Sequence, residues 1–140
     1  AYSAGSFIVY SWLATKASAV DAARIVSIIC LAGPYRFPRE GQRILFEHNA
    51  SAITVKEKAL APKRILRHLH PWQLAVLIAE RDGTILRWNL SFGDKSAMVQ
   101  RVDQHLIANA RHRTVCSDLA TQAYINVRLL PFRSRSPIGS

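Results

Sequence analysis

The stretch QLAVLIAERDGTILRWNLSF, residues 73–92, sets the tightest limit on what this chain can fold into. Two strand-like runs flank Asp82-Gly83, a pair that favours the two-residue turn of a hairpin. With those two residues as the loop, Ala79 faces Leu86, Leu77 faces Trp88 and Ala75 faces Leu90, which makes one apolar face. Ile85, Arg87, Asn89 and Ser91 then point the other way.

Around this hairpin the periodicity predicts a mixed α+β chain. Residues 6–14, SFIVYSWLA, carry aromatic and β-branched side chains and read as a strand or extended arm. Residues 18–33 read as a buried helix, with Ser18 and Asp21 in a capping-box pattern and Gly33-Pro34 as the stop. Strands at about 43–48 and 52–57, joined near Asn49 and Ser51, make a first hairpin. A short helix follows, with Pro62 in its first turn, Ile65, Leu66 and Leu69 on one side and Lys63, Arg64 and Arg67 outward. Met98, Val99, Val102, Leu106 and Ile107 recur at helical spacing after Asp94 and Ser96, which predicts a helix over about 95–110. Ile125, Val127 and Leu129 alternate as in a last strand, and 131–140 reads as a basic tail beyond a single domain of residues 1–130.

The chain has 140 residues, of which 49% are apolar, enough to bury a core in one domain. Nineteen Lys and Arg against nine Asp and Glu give a formal net charge of +10, and the sequence pI is near 10.5. Such a balance points to a polyanionic partner. The cations are mostly arginine and spread over many segments, which fits nucleic acid better than a membrane surface. The apolar runs 6–14 and 25–32 fall far short of the roughly 20 residues that a spanning helix needs. Cys30 and Cys116 lie far apart without C-x-x-C spacing, so they indicate neither a zinc ribbon nor a disulfide framework, and mildly favour a reducing compartment. The chain starts with Ala rather than Met, consistent with a removed leader or initiator.

The order helix, hairpin, short helix, hairpin, helix from residue 18 to 113, αββαββα, resembles one unit of the LAGLIDADG homing endonuclease family. Leu31-Ala32-Gly33 is similar to the opening of the family's motif, Glu40-Gly41 to its acidic close, and QRILF to the strand after it. The resemblance implies a curved sheet of two antiparallel hairpins laid over nucleic acid, and a metal-holding carboxylate at Glu40. Pro34 and Pro38 fall between the two halves of the motif, and each restricts its predecessor to extended backbone. The expectation is therefore a binding unit without cleavage and without a cofactor. It contacts nucleic acid, RNA before DNA, through Arg36, Arg39, Arg43, Lys56, Lys58, Arg87, Asn89, Arg111, Arg113, Arg133 and Arg135. A ribonucleoprotein such as a mitochondrial ribosome suits that role.

Two alternatives stay open: a homodimeric endonuclease using Glu40 and Mg²⁺, and a structural subunit docked on neighbouring proteins of a large assembly. His48, His68 and His70 read as surface side chains near phosphate, because residues two apart on a helix do not share a face. Asn49-Ala50-Ser51 and Asn89-Leu90-Ser91 read as chance sequons. The sequence carries no Gly-rich phosphate loop, no G-x-S-x-G elbow and no H-E-x-x-H.

Overall fold

Residues 74–79, LAVLIA, are buried at every position, and that pattern decides the architecture. A strand apolar on both faces belongs in the middle of a parallel sheet, where covering layers and crossover connections remove both faces from water. In the computed structural model, which describes residues 1–34, 61–85, 92 and 101–133, this run is the central strand of a three-stranded parallel sheet. In chain order the elements are α1 (Ala4–Thr15), α2 (Ala19–Arg24), β1 (Ile28–Leu31), α3 (Pro62–Ile65), β2 (Leu74–Ala79), β3 (Asp103–Ile107) and α4 (Leu119–Arg133). Strand β2 pairs with β1 on one side, Cys30 opposite Val76, and with β3 on the other, Leu77 opposite His105. A parallel bridge from Tyr2 to Leu31 extends the sheet beyond β1.

The mixed helix and strand content is as expected, while the connectivity differs. The run before Asp82-Gly83 is a strand, but its partners are β1 and β3 in parallel, so it is not the first arm of an antiparallel hairpin. The Asp82 carboxylate accepts from the backbone N–H of Thr84 and Ile85 at 2.9 and 2.8 Å, a local Asx turn that the same residues signal equally well. Residues 86–91 and the predicted hairpin over 43–57 lie outside the described residues.

Other elements change type for identifiable reasons. Residues 6–14 are helical in α1, and its buried positions Phe7, Tyr10, Leu13 and Ala14 recur at spacings of three and four. Ile8 and Val9 also pack against the core, so the sequence showed no polar face from which to read a period. The helix expected over 18–33 stops at Arg24. The capping box does form, with Ser18 Oγ accepting from Asp21 N at 3.1 Å and Ser18 N donating to Asp21 Oδ2 at 2.9 Å. Ile25, Val26, Ile28 and Ile29 then turn the chain extended, as crowded β-branched residues favour. Of the helix expected over 95–110, residues 103–107 are strand β3, and 95–100 lie outside the described residues. The last strand expected near 125–129 is helical, within α4, which continues through Arg133.

The core beneath this sheet is built from Phe7, Tyr10 and Leu13 of α1, Ile65 and Leu66 of α3, β2 itself, and Val115. Phe92 meets Tyr10 edge to face with ring centroids 5.5 Å apart. Gln73 closes the amino-terminal side: its amide donates to the carbonyls of Ala22 (2.8 Å), which also accepts from Ile25 N, and of Ile25, at the C-terminal end of α2. Along the same side, Arg128 of α4 donates to Ser27 Oγ at 2.7 Å, to Asp103 Oδ2 at 3.0 Å and to the Trp72 carbonyl. Those three partners sit just before β1, at the start of β3 and just before β2, so one guanidinium fastens α4 across the amino ends of all three strands.

Tyr124 joins this network by donating to Asp103 Oδ2, and Arg128 donates to its oxygen at 3.0 Å. Burial, and next the bond to Asp103, push its phenol from 10.0 up to about 12. A phenol raised in the folded state adds stability that is complete below the unfolded value and is lost as pH rises through the folded one. Urea midpoints should therefore fall between pH 10 and about 12, and Tyr124→Phe should flatten that slope; an unchanged slope would show that Tyr124 does not set it.

A candidate active site at the carboxyl ends of the strands

In a parallel sheet, the loops after each strand gather at one edge, where open α/β sheets place their ligands. The loops after β2 and β3 carry Asp82 and His112, and the turn after the Tyr2 bridge brings Ser3 beside them. His112 Nε2 lies 2.8 Å from Ser3 Oγ, and His112 Nδ1 lies 2.7 Å from Asp82 Oδ2. The imidazole and carboxylate are nearly dry, with side-chain exposures of 10% and 2%. An ionised carboxylate can only accept, so the Nδ1 proton points to Asp82 and leaves the Nε2 lone pair for the serine hydroxyl. Hydroxyl, imidazole and carboxylate are thus each within hydrogen-bond reach of the next, the order in which a nucleophile, a base and an orienting acid would stand.

The backbone explains why each stands where it does. Ser3 follows the Tyr2 bridge and directly precedes α1, with φ 50° and ψ −125°. Non-glycine residues seldom adopt positive φ, and such strain clusters at functional positions. A serine before a helix ordinarily turns its hydroxyl onto the open N–H groups of the first turn. Ser3 makes no such cap bond; its oxygen faces His112 instead. Asp82 follows β2 and is fixed by the Asx turn onto Thr84 and Ile85, which leaves Oδ2 for the histidine.

His112 follows β3 in a loop tied to its neighbours. Arg81 N donates to the Ala110 carbonyl at 2.8 Å, Asn109 N donates to Glu80 Oε2 at 2.6 Å, and Val115 N donates to the Arg111 carbonyl at 3.0 Å. Asn109 takes the positive φ of 61° that lets the chain turn back at this point. Gly33, just past β1, passes so close to the first turn of α1 that a Cβ there would fall 2.0 Å from Ser6 Cβ and 2.2 Å from Ser6 Oγ. The serine turn therefore leans on a position that only glycine fits.

Of the residues expected to contact nucleic acid, Arg111 and Arg113 bracket His112 and are exposed. Arg133 ends α4 and donates to Asn126 Oδ1 at 2.9 Å. Arg36, Arg39, Glu40, Arg43, Lys56, Lys58, Arg87, Asn89 and Arg135 lie outside the described residues. Among the described residues, no group of three or more His, Cys, Asp or Glu side chains could hold a metal ion, and no helix is long and apolar enough to cross a membrane.

Sequence reasoning missed all three members of the site. Ala1-Tyr2-Ser3-Ala4-Gly5 differs from G-x-S-x-G only in its first position, where alanine replaces the first glycine. Asp82 was legible as a turn former, and His112 stood inside the basic run RHR, which drew the reading toward phosphate. Comparison of the chain with protein-family models, curated proteins and solved structures finds no match.

Gly33→Ala should cost about 1–3 kcal/mol, as overpacking of a tight contact does, measured by urea unfolding. A variant as stable as the parent would show that the first turn of α1 can yield at Ser6.

Proposed function

We propose that this protein is a serine hydrolase that cleaves an ester or thioester through an acyl-enzyme. The observation that carries this reading is the continuous hydrogen-bonded line from Ser3 Oγ through the His112 ring to Asp82. In the proposed cycle His112 Nε2 takes the hydroxyl proton as Ser3 Oγ bonds to the acyl carbon. It then gives that proton to the leaving oxygen or sulfur as the bond to carbon breaks. A water activated by the same nitrogen releases the acid in the second half. Asp82 holds the tautomer and stabilises the imidazolium, without itself taking the proton.

The N–H of Ala4, the residue after the nucleophile, is the natural donor to the developing oxyanion. It opens α1, where helix N–H groups lack intrahelical partners. The placement is similar to that of the α/β-hydrolase fold: a strained serine between a parallel bridge residue and a helix, an aspartate and a histidine after two neighbouring parallel strands, and the chain order serine, aspartate, histidine. That likeness is an analogy of arrangement and names no substrate.

Incubation with an alkyl fluorophosphonate should label Ser3, with fluoride leaving and a phosphorus–oxygen bond forming at Oγ. Ser3→Ala should abolish the label, and Asp82→Asn should slow labelling by about 10⁴-fold, as loss of the orienting acid does in such triads. Absence of label on Ser3 in the parent protein would remove the reading.

The net charge of +10 favours a second reading, in which the chain binds structured RNA without cleaving it, as a ribonucleoprotein component. Arg111 and Arg113 are its exposed contacts among the described residues. On this reading, affinity for a structured RNA should drop by about 10³-fold or more between about 50 and 200 mM salt. Binding that ignores salt would dismiss it.

A further inference from the structure

The hydrolase reading leaves Tyr2 unassigned, although it touches the same histidine as the nucleophile beside it. Its hydroxyl donates to the backbone carbonyl of His112 at 2.8 Å, and its ring lies 5.4 Å from the imidazole, tilted by 37°. Ser3 meets the Nε2 of that imidazole. Consecutive residues therefore hold one histidine from its backbone and from its ring, while Asp82 holds Nδ1. We propose that Tyr2 is a positioning residue for the base: its hydroxyl locks the loop that carries His112, so that Nε2 stays in line with Ser3 Oγ.

The lock is specific to this pair of segments. The loop ties to Glu80 and Arg81 fix Asn109 and Ala110, and those at Thr114 and Val115 turn back on Arg111. Among the described residues, the Tyr2 hydroxyl is the one donor to the carbonyl of His112 itself. Burial, with Cys116 and the Asp82 carboxylate nearby, pushes the Tyr2 phenol up against the opposing effect of Arg113, so it keeps the proton it donates. Catalytic geometry tolerates little error, and a small displacement of the base lowers the rate without touching substrate binding.

This inference rests on the hydrolase reading, and Tyr2→Phe tests it because the ring stays while the donor goes. With p-nitrophenyl acetate as probe, kcat per fluorophosphonate-titrated Ser3 should fall about tenfold with KM unchanged, the size expected for one lost hydrogen bond. Titrating Ser3 separates positioning from folding: equal turnover per labelled serine would reduce Tyr2 to a structural role and overturn the inference. Proton NMR gives a readout independent of turnover. The far-downfield resonance of the His112 Nδ1 proton should broaden or vanish in Tyr2→Phe, and its persistence unchanged would also overturn the inference. No labelling of Ser3 in the parent protein would instead remove the hydrolase reading, with the resonance alone then deciding whether Tyr2 positions His112.

Discussion

Parallel pairing on both sides of β2 is the constraint on which the rest of the structure depends. Leu74–Ala79 exchanges backbone hydrogen bonds with β1 and β3, and none of its side chains reaches solvent to any extent. Parallel strands all end at the same edge, so the residues after them are brought together by geometry alone. Ser3, Asp82 and His112 are far apart in the chain, yet Asp82 and His112 lie within a few residues of the ends of β2 and β3, and the parallel Tyr2 bridge beside β1 brings Ser3 to the same edge.

The two edges of this sheet serve different purposes. At the amino edge, charge is neutralised and used for fastening: Arg128, Asp103 and Tyr124 satisfy one another and tie α4 to the strands. At the carboxyl edge, hydrogen bonds are arranged in a line ending on a hydroxyl. Buried polar groups must be paired in either case. The difference is that the second chain of bonds ends on the hydroxyl of Ser3.

What was legible in the sequence was local. Ser18 and Asp21 announce a helix start through chemistry confined to four residues, and Pro62 marks another for the same reason. The strand at Leu74–Ala79 was legible too, from its apolar run. Its direction relative to its partners was not, because parallel pairing joins segments with long crossovers between them, and nothing near Asp82-Gly83 distinguishes an Asx turn from a hairpin. Ile25–Leu31 shows a related ambiguity: a continuous apolar run suits a buried helix or a buried strand, and its β-branched residues settle it. The site was harder still. Its members announce themselves as an N-terminal serine, a turn aspartate and one histidine in a basic run, and only the sheet makes them neighbours.

Ser3 also reveals something about how stability is distributed in this chain. A serine that turned its hydroxyl onto the helix start would strengthen α1 by about 1 kcal/mol, and a residue without a Cβ at φ 50° would remove strain of roughly 1–3 kcal/mol. The fold forgoes both at the same residue. Glycine at position 3 would relieve the backbone strain but leave the buried Nε2 of His112 without its partner, so the strain at the start of α1 is carried by the same residue whose hydroxyl satisfies the imidazole.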